Sequence, residues 1–200
     1  MFDSQSIPLS DAELIFDPAF YDVQTAERLF VSLKQQTPWR SESITLFGKT
    51  MLQPRLIAWY GDADVDYGYS GKRLSPEPWT PLLLEIRSAM EEAARQSFNS
   101  VLLNLYRDER DSMGLHADDE PELGPAPVIA SLSLGADRVF RMKHKTRKDL
   151  KPLKLELSNG SLLIMKGPTQ QHWKHEVPKS RHACGPRINL TFRKVYDSGK

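Results

Sequence analysis

The sequence predicts a mainly β fold with flanking helices (α+β), an antiparallel sandwich or jelly roll with two helices packed outside it. From Val101 onward short strand-like segments follow one another: VLLNLYR, PVIASLSLG, RVFRMKH, LKLELS, GSLLIMK and RINLTFR. Turn residues such as Asn159-Gly160 separate them, and many short strands in succession mark a double-sheet architecture. Two stretches before Val101 instead repeat apolar residues at helical spacing. The last segment alternates: Ile188, Leu190 and Phe192 are apolar, while Arg187, Asn189, Thr191 and Arg193 are polar. Successive strand side chains point to opposite faces, so one face wants core and the other wants an anion between its two arginines.

In chain order, residues 1–20 carry scattered hydrophobics with Pro8 and Pro18, and read as an extended arm lying on the domain. Asp22 can cap a helix in which Ala26, Leu29, Phe30 and Leu33 recur at helical spacing, and Pro38 marks its end. Residues 41–60 hold two β-prone segments, SITLF and RLIAWY, joined by GKTMLQP. Gly48 suits a hairpin turn, which leaves Phe47 an aromatic at an exposed tip with Lys49 and Arg55 nearby. The alternative tucks Phe47 into the core. Past Gly61, VDYGYSG puts Tyr67 and Tyr69 on one strand face, where they can stack a planar group or pack with their hydroxyls at the surface. Thr80 caps and Pro81 starts a second helix, with Leu83, Ile86, Met90 and Ala93 on its buried side.

A chain of 200 residues, 40% hydrophobic, suits one domain with a real core. The single Cys184 excludes an internal disulfide framework, fits a reducing compartment and reads as a bystander. No cationic apolar leader and no membrane-spanning apolar run is evident, so a cytoplasmic protein is expected, nucleoid-associated in a bacterium or nuclear in a eukaryote. A net charge of +1 is not that of a bulk nucleic-acid binder, so any such contact rests on local patches. One patch stands out: Lys143, His144, Lys145, Arg147, Lys148, Lys151 and Lys154 crowd a single hairpin, as a phosphate-contacting loop would.

The chemistry-bearing residues fall in the β region. In VLLNLYR, Leu102, Asn104 and Tyr106 share a face, and an inward amide and phenol need polar partners or a ligand. The stretch GLHADDE contains His116-x-Asp118, and His175 follows 57 positions after Asp118 (175 − 118). Two neutral imidazoles and one carboxylate on one side of a metal form the facial triad of non-haem Fe(II) oxygenases. A lone His-x-Asp is a weak signal, but its conjunction with His175, Arg187 and Arg193 is strong.

The motifs PRLIAWYGD, YGYSGKRLSPEPW, NLYRDERDSMGLHADDEPELG, IASLSLGADRVFRMKHK, GSLLIMKGPTQQHWKHEVP and PRINLTFRKVY resemble the AlkB family of Fe(II)- and 2-oxoglutarate-dependent dioxygenases, from about Leu46 to Tyr196. The likeness is nearest to homologues of the human type that repair alkylated nucleic acid. It implies a double-stranded β-helix, with a nucleotide-recognition lid at about 41–75 and a catalytic core at 100–196. It implies iron on His116, Asp118 and His175, and 2-oxoglutarate on Asn104, Tyr106, Arg187, Asn189 and Arg193, with dioxygen as the oxidant. For the substrate it implies Phe47, Lys49, Arg55, Tyr67, Tyr69 and Glu120: Phe47 as a wedge in the base stack, Tyr69 stacking the base, Tyr67 at its edge, and Glu120 on its exocyclic amino group. The expected reaction is demethylation of 1-methyladenine and 3-methylcytosine in DNA, single- or double-stranded, with RNA as a further substrate, by a monomer. The alternatives are a hydroxylase of RNA, tRNA or protein, and a catalytically idle jelly-roll module that binds nucleic acid.

Overall fold

A computed structural model describes residues 4–46, 49–63, 65, 67–69, 72–74 and 76–196. Its strands are β1 (Gln5–Ile7), β2 (Glu13–Asp17), β3 (Ser43–Leu46), β4 (Lys49–Leu52), β5 (Leu56–Gly61), β6 (Tyr67–Tyr69), β7 (Lys72–Leu74), β8 (Ser100–Tyr106), β9 (Met113–His116), β10 (Ile129–Gly135), β11 (Arg138–His144), β12 (Leu153–Leu157), β13 (Leu162–Lys166), β14 (Trp173–Val177) and β15 (Arg187–Arg193). The helices are α1 (Val23–Gln36), α2 (Pro81–Ala94) and the single turn α3 (Thr169–His172). Seven strands form a large sheet in the order β1-β2-β13-β10-β15-β8-β5, and four form a small one, β12-β11-β14-β9. Every pairing in both is antiparallel, as the jelly-roll reading requires. The hairpins β3-β4 and β6-β7 stand as separate two-stranded sheets in the stretch expected to form a lid.

Helix α1 begins where Asp22 accepts the backbone N–H of Thr25, and α2 where Thr80 accepts that of Leu83 ahead of Pro81. Their buried stripes, Ala26, Leu29 and Leu33 on one and Leu83, Ile86 and Met90 on the other, join the same core as Leu132, Leu190, Leu103 and Ala58 of the large sheet. Register explains that row: Leu132 lies opposite Leu190, Leu190 opposite Leu103, and Leu103 opposite Ala58. All four therefore point to the helix side. Truncating such a fully buried leucine to alanine costs about 2–5 kcal/mol.

The neighbouring rows point the other way, toward the small sheet, and they are polar. Ser133, Asn189 and Asn104 align across β10, β15 and β8, Ser131 aligns with Thr191, and Arg187 lies opposite Tyr106. Alternation thus splits one sheet into a helix-covered apolar face and a polar face turned inward. Gly135 at the end of β10 has φ +89, and a Cβ there would meet the Pro186 carbonyl at 2.5 Å, so the approach to Arg187 needs glycine.

Two expectations change. Residues 5–17 are more than an arm: β2 pairs with β13 and β1 with β2, so they complete the edge of the large sheet. The turn α3 was not legible in TQQH, because four residues are too few to show a helical period.

Candidate active site

The small sheet carries the first ligand candidates. His175 of β14 pairs directly with His116 at the end of β9, with a break in register between His175 and Val177. Such a bulge re-aims the side chains beside it. The ring centroids stand 4.3 Å apart. Asp118, buried two residues beyond β9, places Oδ1 3.7 Å from His116 Nε2 and Oδ2 3.9 Å from His175 Nε2. Its loop is held by Gln170 of α3, whose Oε1 accepts the Asp118 backbone N–H at 2.9 Å.

The electrostatics suit a cation. Burial alone would push the Asp118 carboxyl up, but Arg193, whose Nη2 donates to Oδ1 at 2.8 Å, acts with the two imidazoles to hold it at about 2. Asp118 Oδ2 is buried without a hydrogen bond. His175 is pushed down to about 3 by burial and by neighbouring His116, so its ring is neutral at pH 7. His116 Nδ1 lies 2.8 Å from the Gly114 carbonyl, which can only accept, so that nitrogen carries the proton and Nε2 keeps its lone pair. A carboxylate with an unused oxygen and two imidazoles, their ligand atoms within 4.8 Å of one another, fit a divalent metal.

A second cluster, Asp11, His144 and His172, has the same residue types within the same distance. Here the protons are placed otherwise. His144 Nδ1 accepts the backbone N–H groups of Arg147 at 2.9 Å and Thr146 at 3.2 Å. Its proton is thereby fixed on Nε2, which faces Asp11 Oδ2 at 3.3 Å. That nitrogen has no lone pair to give a metal. The cluster ties the N-terminal segment to the β11–β12 loop.

On the polar face of the large sheet, Arg187 is 1% exposed and its guanidinium stacks on the Tyr106 ring at 5.2 Å. Burial lowers it to about 10, which leaves it charged at pH 7. Nη2 donates to Ser133 Oγ at 2.8 Å, while Nε and Nη1 have no hydrogen-bond partner. A buried cation with two idle donors is costly unless an anion completes it. Asn189 donates to Ser131 Oγ and the Leu132 carbonyl and accepts from Thr191, and Asn104 Oδ1 accepts from Arg55 Nε at 2.8 Å.

A cavity of about 160 Å³ opens at His116 and Asp118, walled by Trp59, Leu102, Met113, Arg193 and further polar residues that include Gln53, Arg55 and Glu120. Arg55 differs from its expected place: it is buried against Asn104 on the cavity wall, because it precedes β5 and points with the polar face. Glu120 lines the cavity with a buried, unbonded Oε2. Lys49 lies on β4, and Tyr67 and Tyr69 on β6, while Phe47 falls outside the described residues. Gln53 and Gln170 were missed by sequence reasoning, since a single glutamine carries no pattern and only burial reveals it. In the basic hairpin, His144 is buried, Lys145 pairs with Asp119, and Arg147 pairs with Asp149. Lys143, Lys148, Lys151 and Lys154 stay exposed.

Residues 13–193 match the model of the 2OG-Fe(II) oxygenase superfamily. The alkB homolog 3 α-ketoglutarate-dependent dioxygenase of Bos taurus is 42% identical over 98% of this chain and 71% of its own length. The chain belongs to the AlkB family. It is thus an Fe(II)- and 2-oxoglutarate-dependent dioxygenase, with iron, 2-oxoglutarate and dioxygen as its cofactors and co-substrate. Another AlkB relative, the human DNA oxidative demethylase ALKBH2, is 41% identical over 85% of this chain and 69% of its own. In fold, the solved structure of OsALKBH1 superposes with a TM-score of 0.64 at 17% identity, covering 96% of this chain and 99% of that one.

Proposed function

We propose that this AlkB-family enzyme removes N-linked methyl groups from damaged bases, 1-methyladenine and 3-methylcytosine, in DNA and by extension in RNA. One observation carries the reading: a single cavity joins His116 and Asp118 of the ligand set to Glu120, whose unbonded carboxylate oxygen can accept from an exocyclic amino group. Relatives named DNA oxidative demethylase support it. Residues 1–200 would then work as one catalytic domain, with 41–75 as lid and 100–196 as core.

His116, Asp118 and His175 would hold iron, and Arg187 would take the distal carboxylate of 2-oxoglutarate on its idle Nε and Nη1. Tyr106 supports that guanidinium, Ser131 and Thr191 lock Asn189 beside it, and Arg55 orients Asn104. Iron and 2-oxoglutarate, once bound, would with dioxygen supply an oxidative decarboxylation to succinate and carbon dioxide, one oxygen atom of dioxygen converting a methyl C–H of the base to C–OH. Glu120 presents negative charge to a cationic methylated base, which favours it over a neutral normal base. The hydroxymethyl group then leaves as formaldehyde: its hydroxyl proton passes to solvent and the C–N pair returns to the ring nitrogen. Lys143, Lys148, Lys151 and Lys154 would meet phosphates, and Phe47 would fill the gap left by a flipped base in a duplex.

The test supplies iron, 2-oxoglutarate and ascorbate to methylated single-stranded DNA, duplex DNA and RNA of matched sequence. Formaldehyde formed in step with succinate is expected. Succinate without formaldehyde on all three would refute the reading.

A further inference from the structure

Gln53 is the most incompletely bonded neutral side chain described. It is 3% exposed, stands in the wall of the cavity, and neither its amide oxygen nor its amide nitrogen has a partner. Its backbone is not free to turn the amide out: its N–H donates to the Glu42 carbonyl and its carbonyl accepts from the Arg55 N–H, both at 2.8 Å. A buried amide stripped of both hydrogen bonds is destabilising. Folding keeps it in the wall of the cavity that also holds Glu120's unbonded oxygen, so its complement is a ligand.

The chemistry of that ligand can be narrowed. A primary amide offers one acceptor and one donor side by side in a plane. Adenine carries an amino donor next to the N7 acceptor, and a glutamine amide pairs with both. Cytosine carries an amino donor next to a C5–H, which leaves the amide nitrogen idle. Guanine presents two acceptors there, which leaves the amide oxygen idle. Methylation at N1 touches neither of adenine's two groups. The amino group has two hydrogens, so one can go to Glu120 and the other to Gln53.

We propose that Gln53 reads the N6/N7 edge of the flipped base and makes methylated adenine the favoured substrate of this enzyme. This rests on the functional reading above. The test uses one oligonucleotide sequence carrying 1-methyladenine or 3-methylcytosine, with wild-type and Gln53→Met enzyme. Formaldehyde release is followed, and affinity is measured separately by fluorescence anisotropy of the holoenzyme without dioxygen. Gln53→Met should lose about tenfold more on 1-methyladenine than on 3-methylcytosine, in kcat/KM and in affinity alike. Its melting temperature should hold or rise, since an unbonded buried amide has been removed. Equal losses on both bases, or no loss on either, would overturn the role of Gln53 and leave the demethylase reading standing. A wild-type enzyme that releases formaldehyde from neither base would overturn both.

Discussion

Among the described residues two His–Asp clusters bring ligand atoms close together, and only one of the two is suited to iron. His175 and His144 point to the same inner face of the small sheet, His175 opposite Met142 and His144 opposite Trp173. Each has a second imidazole and an aspartate within 4.8 Å. What separates them is where the backbone puts the proton. The Gly114 carbonyl takes the proton of His116 Nδ1 and leaves Nε2 open, whereas the N–H groups of Thr146 and Arg147 occupy His144 Nδ1 and close Nε2. Ligand types brought close together therefore do not by themselves make a metal site. The hydrogen bond on the far nitrogen decides.

The largest effect should come from exchanging the two aspartates for alanine. Asp118→Ala should abolish succinate formation. Asp11→Ala should keep it within about twofold and lower the melting temperature slightly, by loss of its half-exposed charge contacts to His144 and Arg147, worth up to about 1 kcal/mol. Succinate assays with thermal melts on the two variants would break the comparison if Asp11→Ala proved the dead one.

A smaller effect is expected on the polar face of the large sheet. Arg187→Lys keeps the charge but gives up the two-point guanidinium grip, so the 2-oxoglutarate concentration for half-maximal rate should rise at least tenfold with little change in melting temperature. Titration of the co-substrate decides this, and an unchanged requirement would remove Arg187 from the binding of 2-oxoglutarate. Next comes Gln170→Leu, which frees the Asp118 loop from α3. Metal affinity should weaken by about 10- to 100-fold, the range for residues that orient ligands, and calorimetry with Mn(II) would measure it.

A further effect, confined to the metal-free protein, is a pH slope. The folded chain protonates His175 only near 3, while an unfolded one does so near 6.5. Between those values the unfolded state binds the extra proton, so the stability of the metal-free protein falls as pH drops through this window. His175→Ala should flatten that part of the melting-temperature profile. An unchanged slope would mean that the imidazole is not held neutral.

Much of this was legible in the chain because period and polarity agreed there. The alternation of Arg187, Asn189 and Arg193 with Ile188, Leu190 and Phe192 appears as the two faces of β15, and Asn104 and Tyr106 lie on the matching face of β8. His116, Asp118 and His175 come together because strand pairing brings β9 to β14. What stayed hidden depends on tertiary neighbours. His144 counted as a surface cation among lysines until burial and two backbone donors made it a neutral acceptor. Arg55 read as a cation near the hairpin tip, yet it is buried on the cavity wall against Asn104. Gln53 and Gln170 matter through bonds unmade and made, which no spacing announces.

The most direct measurement is anaerobic Fe(II) binding to the wild type, Asp118→Ala and Asp11→Ala, with stoichiometry taken from calorimetry and metal analysis. One iron per chain is predicted for the wild type and for Asp11→Ala, and none for Asp118→Ala. A second iron in the wild type that Asp11→Ala removes, or iron retained at full affinity in Asp118→Ala, would contradict the account.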